Sequence, residues 1–281
     1  MIPVSATIAE VRLAIAAARG RNLTVGLVPT MGALHAGHAA LIRAAKARCG
    51  FVVVSVFVNP TQFGPAEDFA RYPRTPDADR TLSAAAGADV LFAPAADDMY
   101  PAGSVTAVEV PGPDQELCGP VRPGHFRGVA TVVLKLLNIV QPDAAVFGAK
   151  DAQQVRVVAQ MVRDLNLPVE VIVAPTVREA DGLAMSSRNR YLTPADRAAA
   201  PDIYAALLAT RAAIQAGSTD VAGLEADLSA RLGLIPGAAV EYARVVDDAT
   251  VRAAPRADRP VLVACAVRFG STRLIDNVTA P

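Results

Sequence analysis

Two of the chain's three histidines lie three residues apart in the stretch VPTMGALHAGHAALI (28–42), directly after a short apolar run that reads as a strand. Gly32 and Gly37 would let a ligand approach the backbone closely. A helix starting near Gly37 would aim its N–H groups and positive dipole end at an anion. His35 and His38, spaced across that turn, would then both donate to phosphate oxygens. The plain alternative is a pair of capping or loop histidines, and their concentration in one tetrad at this place favours the phosphate reading. The spacing fits neither the dinucleotide fingerprint G-x-G-x-x-G nor a Walker A loop, so it represents a different way of holding a triphosphate.

Three other stretches carry groups with matching chemistry. FGAKDAQQ (147–154) opens a helix after a strand: Lys150 has the placement of a phosphate point charge, Asp151 that of a helix cap or a ribose acceptor, and Gln153 and Gln154 follow in the first turn. The alternative there is a capped helix with an exposed lysine. In DGLAMSSRNRYL (181–192), Ser186, Ser187 and Arg188 offer two hydroxyls and a guanidinium fork, which suits a mobile loop closing over phosphates; an ordinary helix N-terminus with solvated arginines is the alternative. In VFVNPTQFG (56–64), Asn59 and Gln62 are neutral groups of the kind that hold a hydroxyl or carboxylate, or simply an Asn-Pro turn. The third histidine, His125 in RPGHFRG (122–128), reads as structural or supporting.

The elements that must position these groups alternate. TVGLV (24–28), FVVVSVFV (51–58), DVLFAP (89–94), AAVFG (144–148) and VEVIVAP (169–175) read as strands. Helices are expected from about 37, near 76–87, over TVVLKLLNIV and over AQQVRVVAQMVRDL. Continuous apolar strands separated by helices imply a parallel sheet covered on both faces, with ligands beyond the carboxyl ends of the strands. Past Pro175 the pattern changes to two Ala-rich helices (about 194–216 and 219–232) and two strands, AVEYARVV and PVLVACAVRF. The expected fold is therefore α/β: a Rossmann-like parallel-sheet domain over 1–176, then a smaller α+β domain over 177–281.

Of the 281 residues, 52% are apolar and 19% charged, which indicates a globular protein with a substantial core. Lys+Arg and Asp+Glu number 27 each, so no global field recruits nucleic acid or an anionic membrane. Glu10 and Arg12 interrupt the early apolar pattern, which makes a poor signal peptide, and no apolar run is long enough to span a bilayer. Cys49, Cys118 and Cys265 are odd in number and far apart, as expected of reduced thiols in a soluble, cytoplasmic protein.

Taken together, PTMGALHAGH, VNPTQFG, YPRT, ELCGPVRPGHFRG, GAKDAQQ and GLAMSSRNRYL, in this order, closely resemble the pantothenate synthetases, AMP-forming pantoate:β-alanine ligases. The resemblance runs from about residue 23 to 192. It implies a nucleotidyltransferase-type fold like that of class I aminoacyl-tRNA synthetases, with HAGH and MSSR gripping ATP. Motifs and resemblance together add ATP and pantoate binding for the domain over 1–176 and a lid role for that over 177–281. Carried over residue by residue, Pro29, Met31, Gly32, Ala33, Leu34, His35, Ala36, Gly37 and His38 would line the ATP site. Gly148, Ala149, Lys150, Asp151, Val177, Met185, Ser186, Ser187 and Arg188 would complete it. His35, His38, Lys150, Ser186, Ser187 and Arg188 would be catalytic; Gln62, Gln154 and Asn59 would hold pantoate and β-alanine. ATP would be a substrate accompanied by Mg²⁺, and the enzyme would be a homodimer; neither the residues nor the resemblance places the metal's ligands, Asp79 being a guess. Ala149 and Ala152 depart from common family residues and bear on substrate affinity. Two other readings compete: a nucleotidyltransferase acting on a phosphorylated acceptor, and a nucleotide-binding regulatory module without turnover.

Overall fold

The apolar runs pair as a wholly parallel six-stranded sheet: β1 (Val4–Ser5), β2 (Val25–Thr30), β3 (Phe51–Val56), β4 (Val90–Phe92), β5 (Ala144–Gly148) and β6 (Glu170–Ala174). Their spatial order is β1-β4-β3-β2-β5-β6. The computed structural model describes residues 1–65 and 67–281. Helices α1 (Ile8–Arg19), α2 (Ala36–Lys46), α3 (Pro76–Ala86), the single turns α4 (Ala96–Met99) and α5 (Cys118–Val121), α6 (His125–Val140) and α7 (Ala152–Asp164) fill the connections. Because β2 and β3 are buried on both faces, their residues are apolar without alternation, and this is why the pattern reads as parallel sheet. One layer of core lies between the sheet and α2, where Ile42 and Ala45 meet Val28, Val52, Val54 and Val146.

The order of strands explains where a ligand must go. Strands β3 and β4 are added on one side of β2, while β5 and β6 are added on the other, with register Gly26↔Val52 and Gly26↔Ala144. The connections leaving β2 and β5 therefore diverge, and the crevice at such a switch point is the binding place of open α/β sheets. The tetrad follows β2; Gly148 ends β5.

The chain clusters into two units. The first comprises Met1–Val110, Pro123–Ala149 and Val157–Pro175; the second, Pro111–Arg122, Lys150–Arg156 and Thr176–Pro281. In the second, α8 (Pro194–Ala199), α9 (Asp202–Gln215) and α10 (Val221–Gly233) accompany an antiparallel sheet of β7 (Ala238–Asp247), β8 (Val261–Phe269) and β9 (Thr272–Ala280), in that order. Central β8 is covered on both faces. Val261, Val263, Cys265, Val267 and Phe269 pack with Ile203, Leu207, Leu224 and Leu228, whereas Leu262 and Ala264 pack with Leu117 and Ala152. The latter two come from the segments 111–122 and 150–156, which is the physical reason those segments belong to this unit.

Three features differ from the sequence expectation. The small sheet has three strands, not two, because Leu274, Asp276, Val278 and Ala280 alternate on one face of β9. The helix expected over 194–216 is two, since Pro201 has no N–H to continue the ladder and α9 restarts at Asp202. Strand β1 and helix α1, the latter started by a Thr7–Glu10 capping box, add to the expected elements. Among the described residues no helix is long and apolar enough to cross a membrane.

Candidate active site

In the first unit the site begins where β2 ends. The Thr30 hydroxyl donates to the Ser55 carbonyl of β3 (2.6 Å) and accepts from the Gly32 N–H (3.2 Å). The backbone then turns through left-handed conformations at Gly32 (φ +82°) and Ala33 (φ +51°). A Cβ on Gly32 would lie 2.9 Å from the Val56 side chain and 3.0 Å from the Asp79 carboxylate, so only glycine fits. Asp79 is buried and accepts the N–H groups of Ala33 (3.1 Å) and Leu34 (2.8 Å) and the Thr75 hydroxyl (2.9 Å). Asp79, a candidate ligand from the sequence, thus uses its carboxylate to shape the turn. Among the described residues no group of three or more His, Cys, Asp or Glu side chains is arranged to hold a metal.

The turn delivers His35 to the N-cap of α2. Its Nδ1 accepts from the Gly37 N–H (3.2 Å), and the Nδ1 of His38 accepts from the His35 N–H (3.3 Å), a reciprocal cap made by two imidazoles whose centroids are 4.1 Å apart. An accepting Nδ1 fixes the tautomer of the neutral ring: each imidazole carries its proton on Nε2. The capping and phosphate-donor readings are therefore compatible, because Nδ1 does the first and Nε2–H is suited to the second.

A second network follows β3. Gln62 is buried; its Oε1 accepts from Asn59 Nδ2 (3.0 Å) and its Nε2 donates to the Met31 sulfur (3.2 Å), which joins it to the tetrad turn. Asn59, expected to hold substrate, is bonded on every side within the first unit. Its Nδ2 donates to Gln62 and to the Gly128 carbonyl (3.1 Å), while its Oδ1 accepts from the Thr61 N–H and hydroxyl and the Tyr100 hydroxyl (2.9 Å). Both Asn59 amide protons are thus used inside the protein, one of them on Gln62. His125 Nδ1 lies 2.8 Å from the Gln62 carbonyl, an oxygen that can only accept, so Nδ1 carries the proton. Burial pushes the Tyr100 hydroxyl above the ordinary tyrosine range, keeping it a neutral donor. Sequence reasoning missed Gly128 and Tyr100. The signal for Gly128 is in RPGHFRG, where the glycine shares its motif with the more conspicuous histidine.

In the second unit, Lys150 sits in a 3-10 turn (Ala149–Asp151), mostly buried, with its ammonium 3.9 Å from the half-exposed Asp151 carboxylate. The paired glutamines diverge. Gln153 is buried, donating to the Pro113 (2.9 Å) and Glu116 (2.6 Å) carbonyls and accepting from the Cys118 N–H (2.9 Å), which clamps the segment 111–122. Gln154, by contrast, is partly exposed. The MSSR stretch ends a small hairpin: Met185 N–H donates to the Val177 carbonyl (3.0 Å), Arg178 and Ala184 form a bridge, and Ser186 Oγ caps a 3-10 turn over Ser187–Tyr191 by accepting from the Arg188 N–H (3.2 Å). Asp181 at the hairpin tip bonds Arg197 (2.6 Å), which holds its carboxyl below the usual range.

A family model described as pantoate-beta-alanine ligase matches residues 3–279. The chain is 54% identical over 272 residues to the pantothenate synthetase of Moorella thermoacetica, covering 97% of this chain and 96% of that protein. To the pantothenate synthetase of Pseudomonas aeruginosa it is 51% identical over 278 residues, with 97% of each covered. Among solved structures, pantothenate synthetase from Thermus thermophilus superposes with a TM-score of 0.92 at 48% identity over 99% of both chains. Pantoate-beta-alanine ligase from Francisella tularensis, crystallised in complex with beta-gamma ATP and beta-alanine, superposes with a TM-score of 0.79 at 34% identity, over 99% of this chain and 97% of that one.

Proposed function

The chain belongs to the pantoate-beta-alanine ligase family, and from that premise we propose how its residues carry the ATP-dependent joining of pantoate to β-alanine. Pantoate's carboxylate is ionised at neutral pH and needs no base. It attacks the α-phosphorus of ATP; the new O–P bond forms as the bond to pyrophosphate breaks, leaving pantoyl adenylate. The neutral amine of β-alanine then attacks the acyl carbon, loses a proton, and expels AMP to leave pantothenate.

The chain's part is electrostatic. The Nε2–H groups of His35 and His38, the Lys150 ammonium, the Ser186 and Ser187 hydroxyls and the Arg188 guanidinium donate to the phosphates, lowering the cost of charge building on the departing pyrophosphate. The backbone of Pro29–Gly37, Gly148–Asp151, Val177 and Met185 shapes the ATP site. Gln62 and Gln154 bind pantoate, Gln62 being held from both ends of its amide, with Oε1 accepting from Asn59 and Nε2 donating to the Met31 sulfur. Mg²⁺ enters with the phosphates of ATP as part of the substrate, a mode of binding that needs few protein ligands and suits a chain whose Asp79 is already engaged. The family resemblance also supports a cytoplasmic homodimer.

The observation that carries this reading is the double imidazole cap after β2, with both Nδ1 atoms accepting, at the sheet's switch point. Incubation with ATP, pantoate and β-alanine tests it: AMP and pantothenate should appear in equal amounts. A product retaining the nucleotide would favour the nucleotidyltransferase reading, and nucleotide binding without turnover a regulatory module.

A further inference from the structure

The last strand touches both elements of the second unit that the reading above assigns to phosphate. Successive side chains of a strand point to opposite faces, and Asp276 and Asn277 are consecutive in β9. Buried Asp276 lies on the face of Leu274 and Val278, toward α9. It receives both terminal nitrogens of Arg178, at 2.6 and 2.9 Å. That guanidinium also donates to the Gly182 carbonyl (3.1 Å) and stacks 3.5 Å above the Tyr204 ring. It therefore locks the stem of the hairpin that runs into Met185–Arg188. From the opposite face, Asn277 Nδ2 donates to the Lys150 carbonyl at 2.8 Å.

We infer that the Asp276–Asn277 pair is a positioning device for adenylation: one strand holds the Lys150 turn on one face and the MSSR hairpin on the other. Fixing the Lys150 carbonyl fixes the plane of the peptide that follows, and together with the 3-10 conformation of Ala149–Asp151 this restricts the direction in which the flexible lysine stem leaves the backbone. Neither residue touches substrate; each acts through a group that does. This inference rests on the assignment of Lys150 and residues 185–188 to the phosphates.

The test is pantoate-dependent exchange of labelled pyrophosphate into ATP by the intact protein, Asn277→Ala and Asn277→Asp, with thermal melting to check folding. The aspartate has nearly the shape of asparagine but turns a carboxylate oxygen, not an N–H, toward the Lys150 carbonyl. Both variants should lose at least ~tenfold in kcat for exchange, as a small misplacement of a catalytic group does, while the KM for pantoate stays within ~twofold. Should Asn277→Ala fail to fold, Asn277→Asp decides alone. Wild-type exchange by Asn277→Asp, or an effect confined to pantoate KM or to the melting temperature, overturns the inference. Absence of exchange in the unmodified protein is a different result, which removes the adenylation reading and this inference with it.

Discussion

Lys150 shows how a single residue can be legible in kind and not in detail. Its sequence position, opening a helix after a strand, suggests a point charge for phosphate, and in the structure its ammonium is mostly buried, 3.9 Å from the Asp151 carboxylate. Among the described residues the ion pair seen for this ammonium is the long one to half-exposed Asp151, and we propose that the charge serves the phosphates. Lys150→Ala is therefore expected to fold and to lose at least about a hundredfold in turnover, since one preorganised donor to developing charge is worth ~2.7–4 kcal/mol. Steady-state rates check this, and a variant keeping most of the wild-type rate would make Lys150 a bystander. The two histidines are legible because a tetrad after a strand has few uses. Asn59 and Gln62 are not separable, because two amides three residues apart look alike until their partners are known. Only their partners, Gly128, Thr61 and Tyr100 for Asn59 and Met31 for Gln62, tell the two apart.

At the scale of elements, strands buried on both faces are readable from unbroken apolar runs. β9 escapes because Arg273, Asp276 and Asn277 interrupt it with roles that only long-range partners explain. Helix α6 approaches the 59–62 turn so closely that a Cβ on Gly128 would lie 2.4 Å from the Thr61 carbonyl oxygen. Gly128→Ala should destabilise the protein by ~1–3 kcal/mol, the usual cost of overpacking, and raise the KM for pantoate by shifting Gln62. Denaturant titration and substrate saturation read the two effects; an alanine tolerated in both would mean that α6 does not brace the turn. In β8, burial drives the Cys265 thiol far above its ordinary range, reinforced by the Asp276 carboxylate opposite. The folded state keeps that proton, whereas the unfolded chain releases it above about pH 8.5. The stability from this group is thus complete below that pH and falls as pH rises, by about 1.4 kcal/mol per unit. Partly buried Tyr242, its hydroxyl also raised by desolvation and by Cys118 beside it, adds to the loss above about pH 10. Between about pH 8 and 10, Cys265→Ala should lose less stability than the wild type, and identical slopes would remove Cys265 as a source.

For the whole molecule, the sequence conveys a nucleotide-binding sheet followed by a smaller α+β part. It does not show that the chain returns twice to the second unit, through 111–122 and 150–156. That return depends on Leu117 and Ala152 covering the far face of β8, a contact over more than a hundred residues with no local signature. Its consequence is that His38 is carried by the first unit, while Lys150 and Met185–Arg188 are carried by the second. The most direct measurement is exchange of labelled pyrophosphate into ATP with Mg²⁺ and pantoate but no β-alanine, in the wild type and in His38→Ala, Lys150→Ala and Arg188→Ala. A carboxylate already ionised can attack the α-phosphorus before any amine arrives, so the wild type should exchange label only when pantoate is present, and each variant should be severely impaired. Exchange that begins only once β-alanine is added, or that survives loss of all three side chains, would contradict a pantoyl adenylate made by these residues.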